Sequence, residues 1–279
     1  GSSPILKLTN DQAVKLENSL NSNQKDIIYR TFVAMRCWNP RTSQIVKEVR
    51  KFNPAEVILL PLYPQYSATT SGSSINEWKE ICKIENFNVK TSTFCCYPTD
   101  NSFIDAHINE IKKKVNNINN FKLIFSAHGL PEKNIKNGDP YQWQVEQTVD
   151  KIVKKINIEN LDYILSYQSR VGPLKWIGPS TESVIIENSK FGKHIVLVPI
   201  AFVSEHSETL VELDIEYKKL AEQYGCKNYI RVPALGVNES FIKSLLKLIL
   251  NKEAYKFKEG LYSPKIQCPS KFKKCPCTQ

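Results

Sequence analysis

The fold class follows from FKLIFSAHGLP, which occupies residues 121–131. Residues 121–125 are branched or aromatic apolar side chains apart from Lys122, and such a short run is typical of a strand buried on both faces of a parallel sheet. Gly129 and Pro131 then interrupt the run, as turn residues do. Runs of the same kind recur along the chain, and we predict strands near residues 27–34, 57–62, 121–125, 163–166 and 194–199.

Segments with the hydrophobic period of a helix separate these runs. We predict helices near residues 11–20, 43–52, 73–84, 103–116, 142–156, 205–223 and 239–250. Alternating strands and helices predict an α/β fold with parallel sheets covered by helices.

The alternation repeats loosely, with a turn near residues 96–100 between the two halves. We therefore predict two similar doubly wound domains, with the active site in the cleft between them. The predicted divisions are an N-terminal domain that lacks its first strand and helix, 1–100, a C-terminal domain, 101–250, and a basic tail with cysteines, 251–279.

Composition narrows the classes of function. The 279 residues are 41% hydrophobic and 24% charged, so the chain can bury a sizeable core. Its longest apolar runs are far shorter than the roughly 20 residues that cross a bilayer. The net charge of +10 would suit anionic lipid, nucleic acid or an acidic small molecule. Because the lysines are scattered and no nucleic-acid-binding motif is visible, we expect no nucleic-acid partner.

The cysteines divide into a dispersed set and a terminal group. Five are dispersed, and three lie within the last dozen residues: Cys268, Cys275 and Cys277. The chain is long and shows no secretory signal, so we expect a reducing compartment with buried or ligating thiols. It begins Gly-Ser-Ser-Pro without Met, so we expect its start to be processed, tagged or missing.

Two predicted strands are followed by side chains that can act as bases or metal ligands. His128 follows the first, and Glu205, His206 and Glu208 follow the strand at 194–199. Ligands of open α/β sheets bind at the carboxyl ends of strands, so these side chains are candidates for one site. A single histidine at such a position is more often structural.

Glu208, Glu212 and Glu216 recur at every fourth residue, which places them on one face of a helix. A solvated acidic face would normally pair such residues with cations, and none appears before Lys218. A row that binds cations or passes protons would offset the repulsion. Imidazole and carboxylate ligands suit a divalent metal such as ferrous iron. The lack of HExxH or CxxC motifs indicates that the metal is bound transiently and not in a closed structural site.

The loop QSRVGPLKWIGP, residues 168–179, combines apolar surface with cations. Trp176 could stack on a flat ligand, and Arg170 or Lys175 could hold its carboxylates. Arg36 follows a predicted strand and could meet another carboxylate. The alternative for the loop is simple packing.

Several long motifs together resemble the ferrochelatases, from residue 1 to about residue 250. They are SP at 3–4, YPQYS at 63–67, TTSGSS at 69–74, SAHGLP at 126–131, GDPY at 138–141, the loop at 168–179, VPIAF at 198–202, EHSETL at 205–210 and ELDIEY at 212–217. The resemblance is to enzymes of the bacterial type.

The resemblance implies a lyase that inserts ferrous iron into protoporphyrin IX to give protohaem, the last step of haem biosynthesis. His128 and Glu208 would face each other across the macrocycle as the catalytic pair. Glu212 and Glu216 would form an acidic path behind Glu208, with His206 in support, and all five side chains are expected to meet the metal. Which side delivers iron and which removes protons is not settled by the resemblance.

The same resemblance assigns the substrate contacts and the location. Arg36 is expected to hold a propionate, Trp176 to form the pocket wall, and Ser3 and Tyr66 to bind substrate. Family members carry a first strand, a helix and much of the pocket lip before Ser3, and we expect the chain to lack them. The enzyme would be cytoplasmic, with peripheral association with the inner face of the cytoplasmic membrane as a further expectation.

Two alternatives remain. One is a related chelatase that uses cobalt or nickel, or that takes coproporphyrin. The other is a porphyrin-binding remnant without turnover.

The terminal spacing C-x6-C-x-C resembles three ligands of the 2Fe-2S cluster of some bacterial ferrochelatases, which implies such a cluster at Cys268, Cys275 and Cys277. Ala68 stands where animal enzymes have the fourth cysteine. Cys95 or Cys96 could replace it. The alternative is a tail that binds zinc or carries free, reducible thiols.

Overall fold

Helices and strands alternate along most of the chain. A computed structural model describes residues 3–170, 172–264 and 268–278, so Val171 of the predicted pocket loop lies outside the described residues. The helices are α1 Ile5–Asn23, α2 Thr42–Phe52, α3 Ser71–Ile84, α4 Asn101–Lys114, α5 Glu132–Lys136, α6 Tyr141–Ile156, α7 Thr181–Lys190, α8 Tyr217–Gln223 and α9 Glu239–Leu250. The strands are β1 Glu56–Leu59, β2 Lys90–Phe94, β3 Phe121–His128, β4 Tyr163–Gln168, β5 His194–Pro199, β6 Tyr229–Arg231, β7 Lys256–Lys258 and β8 Leu261–Ser263. A π-helix spans Glu208–Glu216, and two short 3-10 helices span Ile118–Asn120 and Lys252–Ala254.

One sheet positions the candidate site. Its strand order is β4-β3-β5-β6, and every neighbouring pair is parallel. Leu123, Ile124 and Phe125 in β3 are completely buried, as the apolar run predicts. The register pairs His128 with Gln168, so the carboxyl ends of β3 and β4 lie side by side. The predicted α/β class with parallel sheets is confirmed.

A second sheet has the order β1-β2-β8-β7. The chain returns to it after α9, since β8 pairs with β2 in parallel and with β7 in antiparallel fashion. Glu259 and Gly260 connect β7 to β8 with positive φ angles of 50° and 81°, which match the right-handed twist of a hairpin. The tail thus adds two strands that were not predicted, because each is only three residues long. The proposed domain divisions remain a prediction.

The strand predicted at 27–34 is absent, and this prediction is wrong. The segment has no strand pairing, and Ile28 is 82% exposed. Side chains of α1 satisfy its backbone instead, because the Tyr29 N–H donates to Asn21 and the Thr31 N–H donates to Glu17. β2, β6, α5 and α7 are further elements that the sequence patterns did not predict.

Helix α6 connects the sheet to the rest of the core. Its buried residues recur at three- and four-residue spacing from Tyr141 to Ile156, so one face packs inward. Asn157 ends the helix in the left-handed region with φ 54°, and its N–H bonds to the Val153 carbonyl. Among the described residues, no helix has the length and hydrophobicity of a membrane span.

Candidate active site

His128 is the last residue of β3. Its Nδ1 lies 2.7 Å from the Gly129 carbonyl oxygen, which can only accept a hydrogen bond. The contact therefore places the proton of the neutral imidazole on Nδ1 and leaves Nε2 as a base. The Tyr141 hydroxyl donates to the His128 carbonyl oxygen at 3.0 Å, which ties the end of β3 to the start of α6.

Gly129 lets the pocket loop approach His128. A Cβ atom at Gly129 would lie 2.9 Å from the Gln168 carbonyl oxygen, 3.1 Å from Arg170 Cγ and 3.2 Å from Trp176 Cε3. Any side chain larger than hydrogen would push these groups away. The structure therefore brings Trp176 next to the His128 loop.

Glu208 begins the π-helix and meets His128. Its Oε2 lies 3.5 Å from His128 Nε2, and the two side chains are 43% and 40% exposed. Both groups are thus within reach of a ligand from solvent.

The helix predicted from residue 205 begins at Glu208 and is a π-helix up to Glu216, which corrects the sequence prediction. The Tyr217 N–H bonds to the Glu212 carbonyl five residues back, as the wider π-turn requires. π-Turns are rare and concentrate at functional sites. The α-helical spacing assumed for the glutamate row therefore does not hold.

Glu212 lies behind Glu208 and accepts four hydrogen bonds. The donors are the Ser169 N–H at 2.9 Å, the Ser169 hydroxyl at 2.5 Å, the Tyr217 hydroxyl at 2.7 Å and the Gln168 amide at 3.3 Å. Burial and the hydrogen bond to Glu212 raise the pKa of Tyr217, so this tyrosine remains a neutral donor. The Glu212 carboxylate is held firmly in place.

A half-open cavity of about 350 Å³ adjoins this carboxylate. Glu212, Glu216 and Glu182 contribute to its lining, together with Ser169 and Arg170. The cavity gives the acidic side chains access to solvent. Glu182 was not predicted, since it lies on α7, whose pattern gave no signal.

His206 supports the start of the π-helix. Its Nδ1 accepts the Glu208 N–H at 3.1 Å, and its ring lies edge-on to Phe202 with centroids 4.4 Å apart. Burial lowers the pKa of His206, outweighing the opposite effect of Glu208 and Glu205. The imidazole is therefore held neutral, as an acceptor at Nδ1.

Two predicted substrate contacts have other partners, and a third is exposed. Arg36 donates to Ser73 at 2.8 Å and pairs with Glu77 at 3.2 Å. Tyr66 is buried against Cys95 and Cys96, and Ser3 is exposed near the start of the chain.

Five thiols converge where the tail meets the second sheet. The Sγ atoms of three of them, Cys95, Cys275 and Cys277, lie within 4.8 Å of one another. The Cys268 thiol interacts with that of Cys275, and the Cys96 thiol interacts with those of Cys277 and Cys95. This cysteine cluster comprises Cys95, Cys96, Cys268, Cys275 and Cys277.

The thiols of the cluster affect one another's pKa values and contact Gln144 on α6. Hydrogen bonds with Cys277 and Cys95 lower the pKa of Cys96, and the hydrogen bond with Cys268 lowers that of Cys275. The Gln144 amide lies 3.4 Å from Cys96 Sγ and 3.2 Å from Cys268 Sγ. Contacts with Cys275 raise the pKa values of Cys95 and Cys268. The convergence of the thiols, and not a shared ease of ionisation, is therefore the feature that suits a metal or iron–sulfur group.

Known proteins resemble the chain in sequence and in fold. A family model of the ferrochelatases matches residues 1–253. A ferrochelatase of Pelagibacter ubique is 70% identical over 277 residues, which are 99% of this chain and 80% of that protein. A ferrochelatase of Rickettsia bellii is 47% identical over 281 residues, 99% of this chain and 77% of that protein.

Solved structures of other proteins share the fold of this chain. SirB from Bacillus subtilis with Fe3+ superimposes with a TM-score of 0.61 at 15% identity, covering 87% of this chain and 90% of that one. The sirohydrochlorin chelatase SirB in complex with cobalt gives 0.61 at 12% identity, covering 86% and 87%. Sequence and fold together show that the chain belongs to the ferrochelatase family of metal chelatases.

Proposed function

We propose that the chain inserts ferrous iron into protoporphyrin IX to form protohaem, with His128 and Glu208 as its catalytic pair. The observation that carries this assignment is their contact, 3.5 Å between Nε2 and Oε2, at the carboxyl end of β3. Membership of the ferrochelatase family supports the reaction.

The reaction needs bases at the centre of the macrocycle, because two pyrrole protons must leave before iron can enter. In its neutral form His128 offers Nε2 as a base, and the carboxylate of Glu208 lies beside it. Glu212 and Glu216 continue the acidic path to the cavity, where ferrous iron or protons would exchange with solvent. His206 supports this arrangement by accepting the Glu208 N–H.

The pair has to separate for a macrocycle to lie between its members. Two van der Waals contacts on a flat ring need about 7 Å, twice the present distance. Both side chains are exposed enough to rotate. We therefore propose that porphyrin binding breaks the contact between His128 and Glu208.

The substrate's edges would be held by groups around this pair. Trp176, whose Cε3 lies beside Gly129, would stack on the macrocycle at the pocket wall. Arg36 would release Glu77 and bind a propionate in its place, at a cost of about 1 kcal/mol or less because the arginine side chain is 41% exposed. Ser3 and Tyr66 are proposed as further substrate contacts.

For the cysteine cluster we propose a 2Fe-2S group held by Cys268, Cys275, Cys277 and Cys95. The mutual proximity of Cys95, Cys275 and Cys277 supports Cys95 over Cys96 as the fourth ligand. Such a group supplies metal–thiolate bonds and a one-electron couple. The cysteines themselves hold the tail against β2 and α6.

A location at the inner face of the cytoplasmic membrane completes the proposal. The net charge of +10 favours anionic lipid, and Trp38 and Leu174 are 63% and 59% exposed apolar side chains. Co-sedimentation with vesicles of anionic phospholipid tests this. Binding to neutral vesicles alone, or to none, would contradict it.

The activity test is ferrous insertion into protoporphyrin by the purified chain, followed by absorbance, with His128→Ala and Glu208→Ala alongside. We expect turnover that either substitution abolishes. Lys218→Ala, on the exposed side of α8, is the control and should retain activity. Turnover that survives both substitutions would refute the pair, and faster insertion of cobalt or into coproporphyrin would favour a related chelatase.

A further inference from the structure

Ser169 follows β4 directly, and its backbone adopts a positive φ angle. Its φ angle is +57°, in the left-handed region that L side chains rarely adopt. The residue is partly buried beside the active site. A strained backbone that persists at such a place indicates that the side chain there has a role that glycine cannot fill.

The side chain of Ser169 joins two carboxylates. Its hydroxyl lies 2.5 Å from Glu212 Oε2 and 3.3 Å from Glu208 Oε2. Its backbone N–H donates to the other oxygen of Glu212 at 2.9 Å. Without a donor between them, the two negative charges would repel and move apart.

The neighbours of Ser169 make this arrangement rigid. Gln168 is 1% exposed, and its amide oxygen accepts the Ser126 hydroxyl at 2.7 Å while its nitrogen reaches Glu212. Ser169 is thus anchored on the strand side and presents its hydroxyl to the glutamates. Glu208 also faces His128, so the hydroxyl links the catalytic pair to the path behind it.

We infer that Ser169 is a positioning residue that sets the relative position of the Glu208 and Glu212 carboxylates for the passage of ferrous iron. The inference rests on the proposed function, which gives those carboxylates their role. Neither the family comparisons nor the sequence motifs assign this task to the hydroxyl.

The test separates the hydroxyl from the backbone. Ser169→Gly relieves the strain and keeps the N–H, but it removes the hydroxyl. Ser169→Thr keeps the hydroxyl, but its branched side chain worsens the strain. Asn160→Gly is the matched control, because Asn160 precedes β4 with a similar φ of 54° and is exposed.

For Ser169→Gly we expect a melting temperature no lower than that of the parent, with a KM for ferrous iron raised about tenfold, since a hydrogen bond to a charged group is lost. The KM for porphyrin should change less than twofold. Ser169→Thr should melt lower yet keep the parent's KM for iron. Asn160→Gly should leave both KM values unchanged.

An unchanged iron KM in Ser169→Gly would overturn the inference, as would an equal rise in both KM values. A threonine variant that folds but shows the same iron KM as the glycine variant would also overturn it. If the parent chain shows no iron insertion, the proposed function itself fails, and if Glu208→Ala retains full turnover, the proposed catalytic pair fails; both results are distinct from these.

Discussion

The Tyr141 hydroxyl donates a hydrogen bond of 3.0 Å to the backbone carbonyl of His128, so the first residue of α6 holds the last residue of β3. Tyr141 is 7% exposed, and its own N–H donates to buried Asp139. The position of the His128 imidazole, for which we propose a catalytic role, therefore depends on the packing of α6.

Tyr141→Phe should loosen His128 without changing the packing volume. We expect a loss of about 1 kcal/mol in the free energy of unfolding, the usual value of one such bond. We also expect a several-fold fall in kcat. Tyr97→Phe is the control, because Tyr97 is equally buried and donates to the Pro61 carbonyl at 3.2 Å. Equal falls in kcat for both variants would contradict the role of Tyr141.

His107 should make stability depend on pH. It is 1% exposed in α4 and packs edge-on against Phe103, and burial lowers its pKa to about 3. The unfolded chain takes up a proton below its ordinary pKa near 6.5, whereas the folded chain does not. Stability should therefore fall as pH drops from 6.5 toward 3, by about 2 kcal/mol at pH 5 relative to pH 8.

Urea denaturation of the parent and of His107→Phe at pH 8, 6.5 and 5 measures this effect. The variant should lose about 2 kcal/mol less than the parent between pH 8 and pH 5. Parallel curves for the two proteins would show that His107 does not contribute.

Arg231 holds one acidic group before the π-helix and another near the end of that helix. It pairs with Glu205 and, through two nitrogens, with Asp214, and its side chain is only 10% exposed. Arg231→Met would leave both carboxylates without their cation, and we expect a loss of about 2–3 kcal/mol. Arg30→Met removes an exposed pair with Glu17 and should cost less than 1 kcal/mol.

Chemical denaturation of both variants provides the comparison. A loss below 1 kcal/mol for Arg231→Met would mean that solvent replaces the arginine, and the anchoring role would be wrong.

The proposed 2Fe-2S group predicts visible absorption and an EPR signal after reduction in anaerobically purified protein. Cys95→Ser should abolish both, whereas Cys82→Ser should change neither, because Cys82 lies on α3 against Trp78 and Val49. Metal analysis should find iron. Zinc in place of iron would support the alternative in which the tail binds zinc. Loss of the signals in Cys96→Ser but not in Cys95→Ser would identify Cys96 as the fourth ligand.

Local patterns were sufficient to predict much of the fold and to name candidate site residues. The apolar run at 121–125 predicted β3, and helical periods predicted α2, α3, α6 and α9 to within two residues at either end. His128 and Glu208 were candidates because they follow strands of one sheet, and the ends of parallel strands meet at one edge. The family resemblance then named them as a pair, and their catalytic role stays a prediction. These features depend on neighbours in the sequence.

Tertiary contacts decided the rest. The segment 27–34 has strand-forming residues, yet its backbone donors are satisfied by α1 and it stays unpaired. The π-helix and the left-handed Ser169 depend on groups far along the chain, since Ser169 meets Glu212 across 43 residues. Likewise, Cys95 reaches the terminal cysteines only because β8 returns to pair with β2. Spacing along a chain cannot encode such meetings, because they depend on how separate elements pack.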